Sequence, residues 1–283
     1  MMLRPLTVTC FGDSITQRGS RVSDPANGIG WVALLQSALE READVVNRGF
    51  SGYNTTMAVA VAPLALGLGP PGNDAVRDGA PPGRGPAAGL GAGIARSPKH
   101  VLTILFGTND ATAAGDSQHV DLDVYERNIR SLVNTGLVDC AADLVLLITP
   151  PSVCDSMLAT LDQRTDARVR PYAEACMDIA SDPAWLPGRV ACVDLYTPTA
   201  GRDSKTGSAA SNQDFFSDGF HLNGRGNALA FDLVLSSIRT HLGTLPSDQP
   251  LWEALVGLSP EQMRHASLSH VSTWHPAQSR GDH

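Results

Sequence analysis

Runs of aliphatic and β-branched residues alternate along the chain with stretches in which apolar residues recur at helical spacing. The apolar runs predict strands at 6–11, 44–47, 100–106, 144–148 and 190–195. Helical spacing marks four segments: 31–39, 124–133, about 164–181 and the stretch after Gly226. Such an alternation is typical of a parallel sheet with helices on both faces. The pattern therefore predicts an α/β fold on a five-stranded parallel sheet.

The composition changes at two places along the chain. Between 67 and 98, Gly and Pro dominate and β-branched residues almost disappear, which is typical of a loosely packed surface insertion. A lid over a functional site is the alternative interpretation of this segment. Beyond residue 243 only a weak helical signal remains. We therefore predict one domain at 1–243, containing the insertion at 67–98, and a C-terminal extension at 244–283.

Composition and charge narrow the classes of function. Hydrophobic residues make up 42% of the chain and charged residues 18%, as in soluble globular proteins. The formal net charge of -8 disfavours binding to nucleic acid or anionic lipid, because both attract Lys- and Arg-rich surfaces. The longest apolar run, after Met57, is interrupted by Pro63 and Gly67 and is too short for a membrane span of ~20 residues. With no secretion signal visible, a cytoplasmic protein is expected.

Cysteine and histidine spacing gives no indication of a metal. The five cysteines are scattered and form no C-x-x-C pair, so we expect reduced thiols rather than a disulfide framework or a zinc knuckle. Four histidines of the extension also lack the tight spacing of zinc ligands: His265, His270, His275 and His283. We expect neither a metal nor a cofactor.

Four short polar segments follow predicted strands or lead into the last helix. They read G-D-S, S-G-Y-N, G-T-N-D and D-G-F-H along the chain. In open α/β sheets, ligands bind beyond the carboxyl ends of the strands, where loops bring polar groups together. We expect these four segments to meet at one site.

The residue types in these segments are those that acyl transfer requires. A serine hydroxyl such as Ser14 needs a base within hydrogen-bond reach and a third group to orient that base. The D-x-x-H spacing of Asp218 and His221 lets one turn of chain supply both. The candidate oxyanion donors are the N–H groups of Ser14 and Gly52 and the side-chain amide of Asn109. The carboxylates Asp13 and Asp110 are interpreted as hydrogen-bond partners of loop backbone.

Taken together, the four segments resemble the SGNH (GDSL-type) hydrolase family, which is named after a Ser, a Gly, an Asn and a His. Ser14, Gly52, Asn109 and His221 match these residues. Longer stretches are similar to the isoamyl acetate-hydrolysing esterase branch: F-G-D-S-I-T-Q, V-V-N-R-G-F-S-G-Y-N-T, F-G-T-N-D, L-I-T-P-P and S-D-G-F-H-L-N-G-R-G-N.

The resemblance covers about 6–66 and 100–242 and leaves out the insertion and the extension. It implies a flavodoxin-like three-layer α/β/α fold and metal-free hydrolysis of carboxylic esters with small acyl groups. The expected partner is a small-molecule ester, and a homodimer is left open. Three other functions also stay open: a carbohydrate O-deacetylase, a lysophospholipase or thioesterase, and a catalytically silent binding protein whose insertion blocks the pocket.

Overall fold

The computed structural model describes residues 6–23, 28–68, 100–158, 164–201 and 212–243. From residue 69 onward, the predicted insertion at 67–98 lies outside the described residues. The whole extension at 244–283, with its four histidines, lies outside them as well. The division into a domain and an extension therefore stays a prediction.

The centre of the fold is a parallel sheet of five strands in the order β2-β1-β3-β4-β5. The strands are β1 (Leu6–Gly12), β2 (Ala43–Gly49), β3 (His100–Leu105), β4 (Leu144–Ile148) and β5 (Val190–Val193). The register pairs Gly12 at the end of β1 with Gly49 on one side and with Leu105 on the other. The carboxyl ends of these three strands therefore lie side by side, and the loops that follow them share one edge.

Helices cover both faces of the sheet. They are α1 (Ser14–Arg18), α2 (Trp31–Ala38), α3 (Thr55–Ala65), α4 (Leu122–Asn134), α5 (Asp166–Ala180), α6 (Tyr196–Thr199) and α7 (Gly224–Leu242). Helices α3, α4 and α5 pack on one face, and α2 and α7 pack together on the other. This arrangement confirms the three-layer α/β/α prediction. None of the helices in the described ranges combines the length and the apolar composition that a membrane crossing requires.

Strand β4 shows why its sequence is continuously apolar. Val145 and Leu147 pack into the core under α3, α4 and α5, whereas Leu144, Leu146 and Ile148 pack into the core under α2 and α7. All five side chains are buried, because alternate residues of a strand point to opposite faces of the sheet. Full burial of one such side chain contributes about 1.5–3 kcal/mol to the free energy of unfolding.

The sequence pattern does not predict α3, which begins at Thr55. Its N-terminus is capped by Asn54, whose side chain accepts a hydrogen bond from the N–H of Met57 at 3.0 Å. Pro63 lies in the last turn of α3, so its missing N–H removes a hydrogen bond only near the end of the helix. Pro63, which interrupts the apolar run in the sequence, therefore lies in the last turn of a helix that the run forms.

Candidate active site

Ser14 lies in the first turn of α1, immediately after β1. Asp13 forms the N-cap, and its Oδ1 accepts a hydrogen bond from the N–H of Ile15 at 2.8 Å. Gly12 is required for packing, because a Cβ there would lie 2.7 Å from the carbonyl oxygen of Leu105. In G-D-S, the missing side chain of Gly12 thus lets β3 pack closely against β1, and Asp13 caps the N-terminus of α1. The serine is left at the strand edge, with 5% of its surface exposed.

The structure brings Ser14, His221 and Asp218 into one hydrogen-bonded chain. The Oγ of Ser14 lies 2.9 Å from Nε2 of His221, and Nδ1 of His221 lies 2.7 Å from Oδ2 of Asp218. Asp218 also accepts the backbone N–H of His221 at 2.9 Å, so the D-x-x-H turn closes on itself. Because a carboxylate only accepts, Nδ1 carries the proton and Nε2 is free to accept the serine hydroxyl.

The electrostatics of Asp218 favour its ionised form. Burial alone would raise its pKa, but hydrogen bonds from the side chain and backbone of His221 outweigh that effect and lower the pKa to about 2. The guanidinium of Arg18 adds a weak contact at 3.9 Å from Oδ2. Asp218 therefore stays negative at neutral pH and can stabilise an imidazolium on His221.

The side chain of Asn109 is buried, and hydrogen bonds fix the orientation of its amide. Its Nδ2 donates to the carbonyl oxygen of Tyr53 at 2.8 Å, and its Oδ1 accepts from Arg164 at 3.0 Å. Arginine can only donate, so the amide oxygen must face Arg164 and the amide nitrogen must face Tyr53. Among the described residues no protein group accepts the second N–H of this amide.

Two backbone donors accompany this amide. Gly52 has a φ of +81°, a left-handed conformation that favours glycine, and its carbonyl oxygen accepts from Nε2 of Gln118 at 2.7 Å. Within the described ranges, neither the Gly52 N–H nor the Ser14 N–H donates to a protein acceptor. Of the five residues selected from the sequence, Ser14 thus begins α1 directly after β1, Gly52 and Asn109 lie in the loops after β2 and β3, and Asp218 and His221 lie in the turn before α7.

Gln118 and Arg164 are not indicated by the sequence. Gln118 lies in the loop between β3 and α4, and Arg164 precedes α5. Arg164 coincides with the predicted start of a helix, where a charged residue is ordinary. Because both side chains act over long sequence separations, no local spacing marks them as part of the site.

Two buried carboxylates, Asp13 and Asp110, accept hydrogen bonds from backbone next to the site. Burial raises the pKa of Asp13 to about 7 and the pKa of Asp110 to about 6. Asp110 accepts hydrogen bonds from the backbone and the hydroxyl of Thr55 and so anchors the start of α3. Both carboxylates thus hydrogen-bond backbone, as predicted, although the partner N–H groups lie in the first turns of α1 and α3 and not in loops.

The raised pKa of Asp13 leads to a testable dependence of stability on pH. Between its ordinary pKa of 3.8 and about 7, Asp13 is protonated in the folded protein and ionised in the unfolded chain. The free energy of unfolding therefore falls as pH rises through that window. Asp13→Asn keeps the oxygen that caps α1 and removes the charge. We expect its Tm to match the wild type near pH 4 and to exceed it by several degrees at pH 8.

Thermal unfolding at both pH values checks this prediction. Asp123→Asn is the matched control. A hydrogen bond from Arg127 lowers the pKa of the exposed Asp123, so replacing this carboxylate is expected to change Tm at pH 8 slightly and in the opposite direction. A Tm difference between Asp13→Asn and wild type that does not change with pH would contradict a buried, protonated Asp13.

Comparison with known proteins extends these observations. A family model described as GDSL-like Lipase/Acylhydrolase family matches residues 10–229. The isoamyl acetate-hydrolyzing esterase 1 homologs of Rattus norvegicus and Bos taurus are 32% and 33% identical to this chain, over 90% of it and 90% of each relative. A GDSL esterase/lipase of Arabidopsis thaliana is 29% identical, over 82% of this chain and 84% of that relative.

Solved structures share the fold. A lipase/acylhydrolase from Enterococcus faecalis aligns with a TM-score of 0.55 at 17% identity, over 83% of this chain and 96% of that one. A variant of an acetyl xylan esterase from Geobacillus stearothermophilus aligns with a TM-score of 0.55 at 21% identity, over 82% of this chain and 94% of that one. At these identities the similarity concerns the arrangement of sheet and helices.

Proposed function

The chain belongs to the GDSL-like lipase/acylhydrolase family, and on that premise we propose that it hydrolyses carboxylic esters with small acyl groups through an acyl-enzyme on Ser14. The prediction of a GDSL esterase similar to the isoamyl acetate-hydrolysing branch is confirmed by the curated relatives. The chain is therefore a hydrolase of ester bonds. The choice of small acyl groups, and the roles of individual residues, are our proposals.

One observation carries the mechanism: the hydrogen-bonded chain from Ser14 through His221 to Asp218, with contacts of 2.9 and 2.7 Å. His221 takes the proton of Ser14 as the serine oxygen attacks the ester carbonyl. Asp218 holds the imidazole in place and stabilises its positive charge. His221 then gives the proton to the departing alkoxide, which leaves as the alcohol. A water molecule, activated by the same histidine, releases the acid and restores Ser14.

The negative charge that develops on the carbonyl oxygen needs fixed donors. The N–H groups of Ser14 and Gly52 and the amide of Asn109 supply them in this proposal, because all three are donors at the carboxyl edge of the sheet. The fixed amide of Asn109 supports this role. A donor that is held in place before the reaction costs little reorganisation when the charge develops.

Asn109→Ala is expected to lower kcat by about 10²–10³-fold with a smaller change in KM, since the lost donor acts mainly on the transition state. Steady-state kinetics with nitrophenyl acetate measure both constants. Asn128→Ala is the control, because among the described residues the side chain of Asn128 bonds the hydroxyls of Thr55 and Thr56 on α3 and none of the proposed oxyanion donors. A folded Asn109→Ala enzyme with undiminished kcat would contradict the assignment of Asn109 to the oxyanion hole.

A series of nitrophenyl esters from acetate to palmitate tests the proposed substrate class. We expect kcat/KM to be highest for acetate or butyrate and to fall steeply with longer acyl chains. Activity that rises with acyl length would instead indicate a lysophospholipase or thioesterase. Turnover confined to acetylated carbohydrates would indicate an O-deacetylase, and no turnover of any ester would favour a silent binding protein.

A further inference from the structure

A single guanidinium is connected to two of the proposed oxyanion donors. Nη2 of Arg164 lies 3.0 Å from Oδ1 of Asn109 and 2.9 Å from Oε1 of Gln118. Gln118 in turn donates from Nε2 to the carbonyl oxygen of Gly52 at 2.7 Å. Arg164 therefore bonds the Asn109 amide directly and the Gly52 loop through one intervening side chain.

The four residues joined in this way come from three loops. Gly52 follows β2, Asn109 follows β3, Gln118 lies farther along the loop before α4, and Arg164 lies before α5. Loops between elements are the mobile parts of a fold, and hydrogen bonds within the sheet do not fix their relative positions. The planar guanidinium with its rigid donors is suited to hold several acceptors in a fixed geometry.

The same guanidinium contacts the loop that carries the base. Its central carbon lies 4.4 Å from the ring centroid of Phe220, and the Phe220 ring lies 4.0 Å from the ring of His221. A cation over an aromatic face is attracted to it, so the position of Arg164 is itself fixed. Arg164 thus contacts two loops around Ser14 directly, those that carry Asn109 and Phe220, and it reaches the Gly52 loop through Gln118.

We propose that Arg164 is a positioning residue of the oxyanion hole, an inference that rests on the proposed function. Arg164 fixes which end of the Asn109 amide faces the substrate. A reversed amide would present its oxygen to the developing negative charge. Through Gln118, Arg164 also holds Gly52 in the left-handed conformation in which its N–H has no acceptor among the described residues. Arg164 acts through these groups and takes no part in bond making.

Arg164→Ala is expected to lower kcat for nitrophenyl acetate by about 10–100-fold, while KM stays within about threefold, because small displacements of catalytic groups are costly in the transition state. Arg164→Lys is expected to retain an intermediate kcat, since a lysine keeps the charge but lacks the planar fork. Gln118→Glu keeps an acceptor for Arg164 but cannot donate to Gly52, so it lowers kcat without removing the cation.

A readout of the oxyanion hole separates positioning from general stability. A trifluoromethyl ketone forms a tetrahedral adduct whose oxyanion occupies the hole, so its inhibition constant is expected to rise by the same factor by which kcat falls. Arg170→Ala is the control from the same segment, because among the described residues Arg170 bonds Tyr196 and Asp166 and none of the oxyanion groups. Its kcat is expected to stay at the wild-type value.

A double variant tests whether Arg164 acts through Asn109. In an Asn109→Ala background, the loss of Arg164 is expected to lower kcat by a smaller factor than in the wild type. The contact of Arg164 with Asn109 is already absent there, so only the contact through Gln118 to Gly52 remains to be lost. The proposal is overturned if Arg164→Ala lowers only Tm, or if its ketone inhibition constant stays at the wild-type value. Loss of turnover in Ser14→Ala tests the proposed function separately, so the two failures are distinguishable.

Discussion

Replacing Ser14 with alanine is expected to lower kcat for small esters by about 10⁶-fold, the largest effect of any single change in this protein. The substitution removes one oxygen, and with it the nucleophile and the 2.9 Å contact to Nε2 of His221. Without a nucleophile no acyl-enzyme forms. What remains is the attack of water on an ester held beside the oxyanion donors, which gives a residual acceleration of about 10³–10⁴-fold over water.

The fold is expected to tolerate Ser14→Ala. Alanine is a good helix former, Asp13 still caps α1, and the backbone N–H of residue 14 keeps its place. Initial rates with nitrophenyl acetate and a thermal unfolding curve test both expectations. Ser131→Ala, at an exposed position of α4, is the matched control and should retain full activity. Substantial turnover by a pure Ser14→Ala protein would place the nucleophile elsewhere.

His221→Ala is expected to lower kcat by about 10⁴–10⁶-fold, because the serine then has no base and the leaving alkoxide no acid. The imidazole is buried, with 7% of its surface exposed, and packs on the ring of Phe220. Its removal therefore leaves a small cavity beside the Phe220 ring. Asp218 keeps hydrogen bonds from the backbone N–H groups of residues 220 and 221, so the turn itself is retained.

The pH dependence of the residual activity gives a second readout for His221→Ala. Without a protein base, ionisation of the serine depends on hydroxide, so the residual rate is expected to rise continuously toward alkaline pH. His241→Ala, an exposed histidine in the last turn of α7, serves as the control. A His221→Ala enzyme with wild-type kcat and an unchanged pH profile would exclude His221 as the base.

The central strands were predictable because their side chains are buried on both faces of the sheet. Strand β4 illustrates this, since Leu144 to Ile148 form an unbroken apolar run bounded by prolines that end the strand. The run after Met57 shows where the pattern fails. Helix α3 is apolar on most sides and contains Pro63, so neither a periodic face nor a clean boundary is visible in the sequence.

The candidate site was predictable to the extent that its chemistry is local. Asp218 and His221 are three residues apart, and Ser14 follows a strand, so their meeting requires only a parallel sheet with its carboxyl edge shared. Arg164 depends on a contact across 55 residues to Asn109, and nothing near it in the chain indicates that contact. Long-range side-chain hydrogen bonds of this kind need the folded coordinates.

Covalent labelling with a fluorophosphonate, followed by mass spectrometry of the digested protein, tests the central claim most directly. Because the reagent phosphonylates only a serine that is activated by a base, we expect one adduct per folded molecule, on the peptide that contains Ser14. We expect loss of turnover in parallel with labelling, and no label on Ser14→Ala. Full esterase activity in protein that stays unlabelled at Ser14, or a label on a different serine that abolishes activity, would contradict the assignment of Ser14 as the nucleophile.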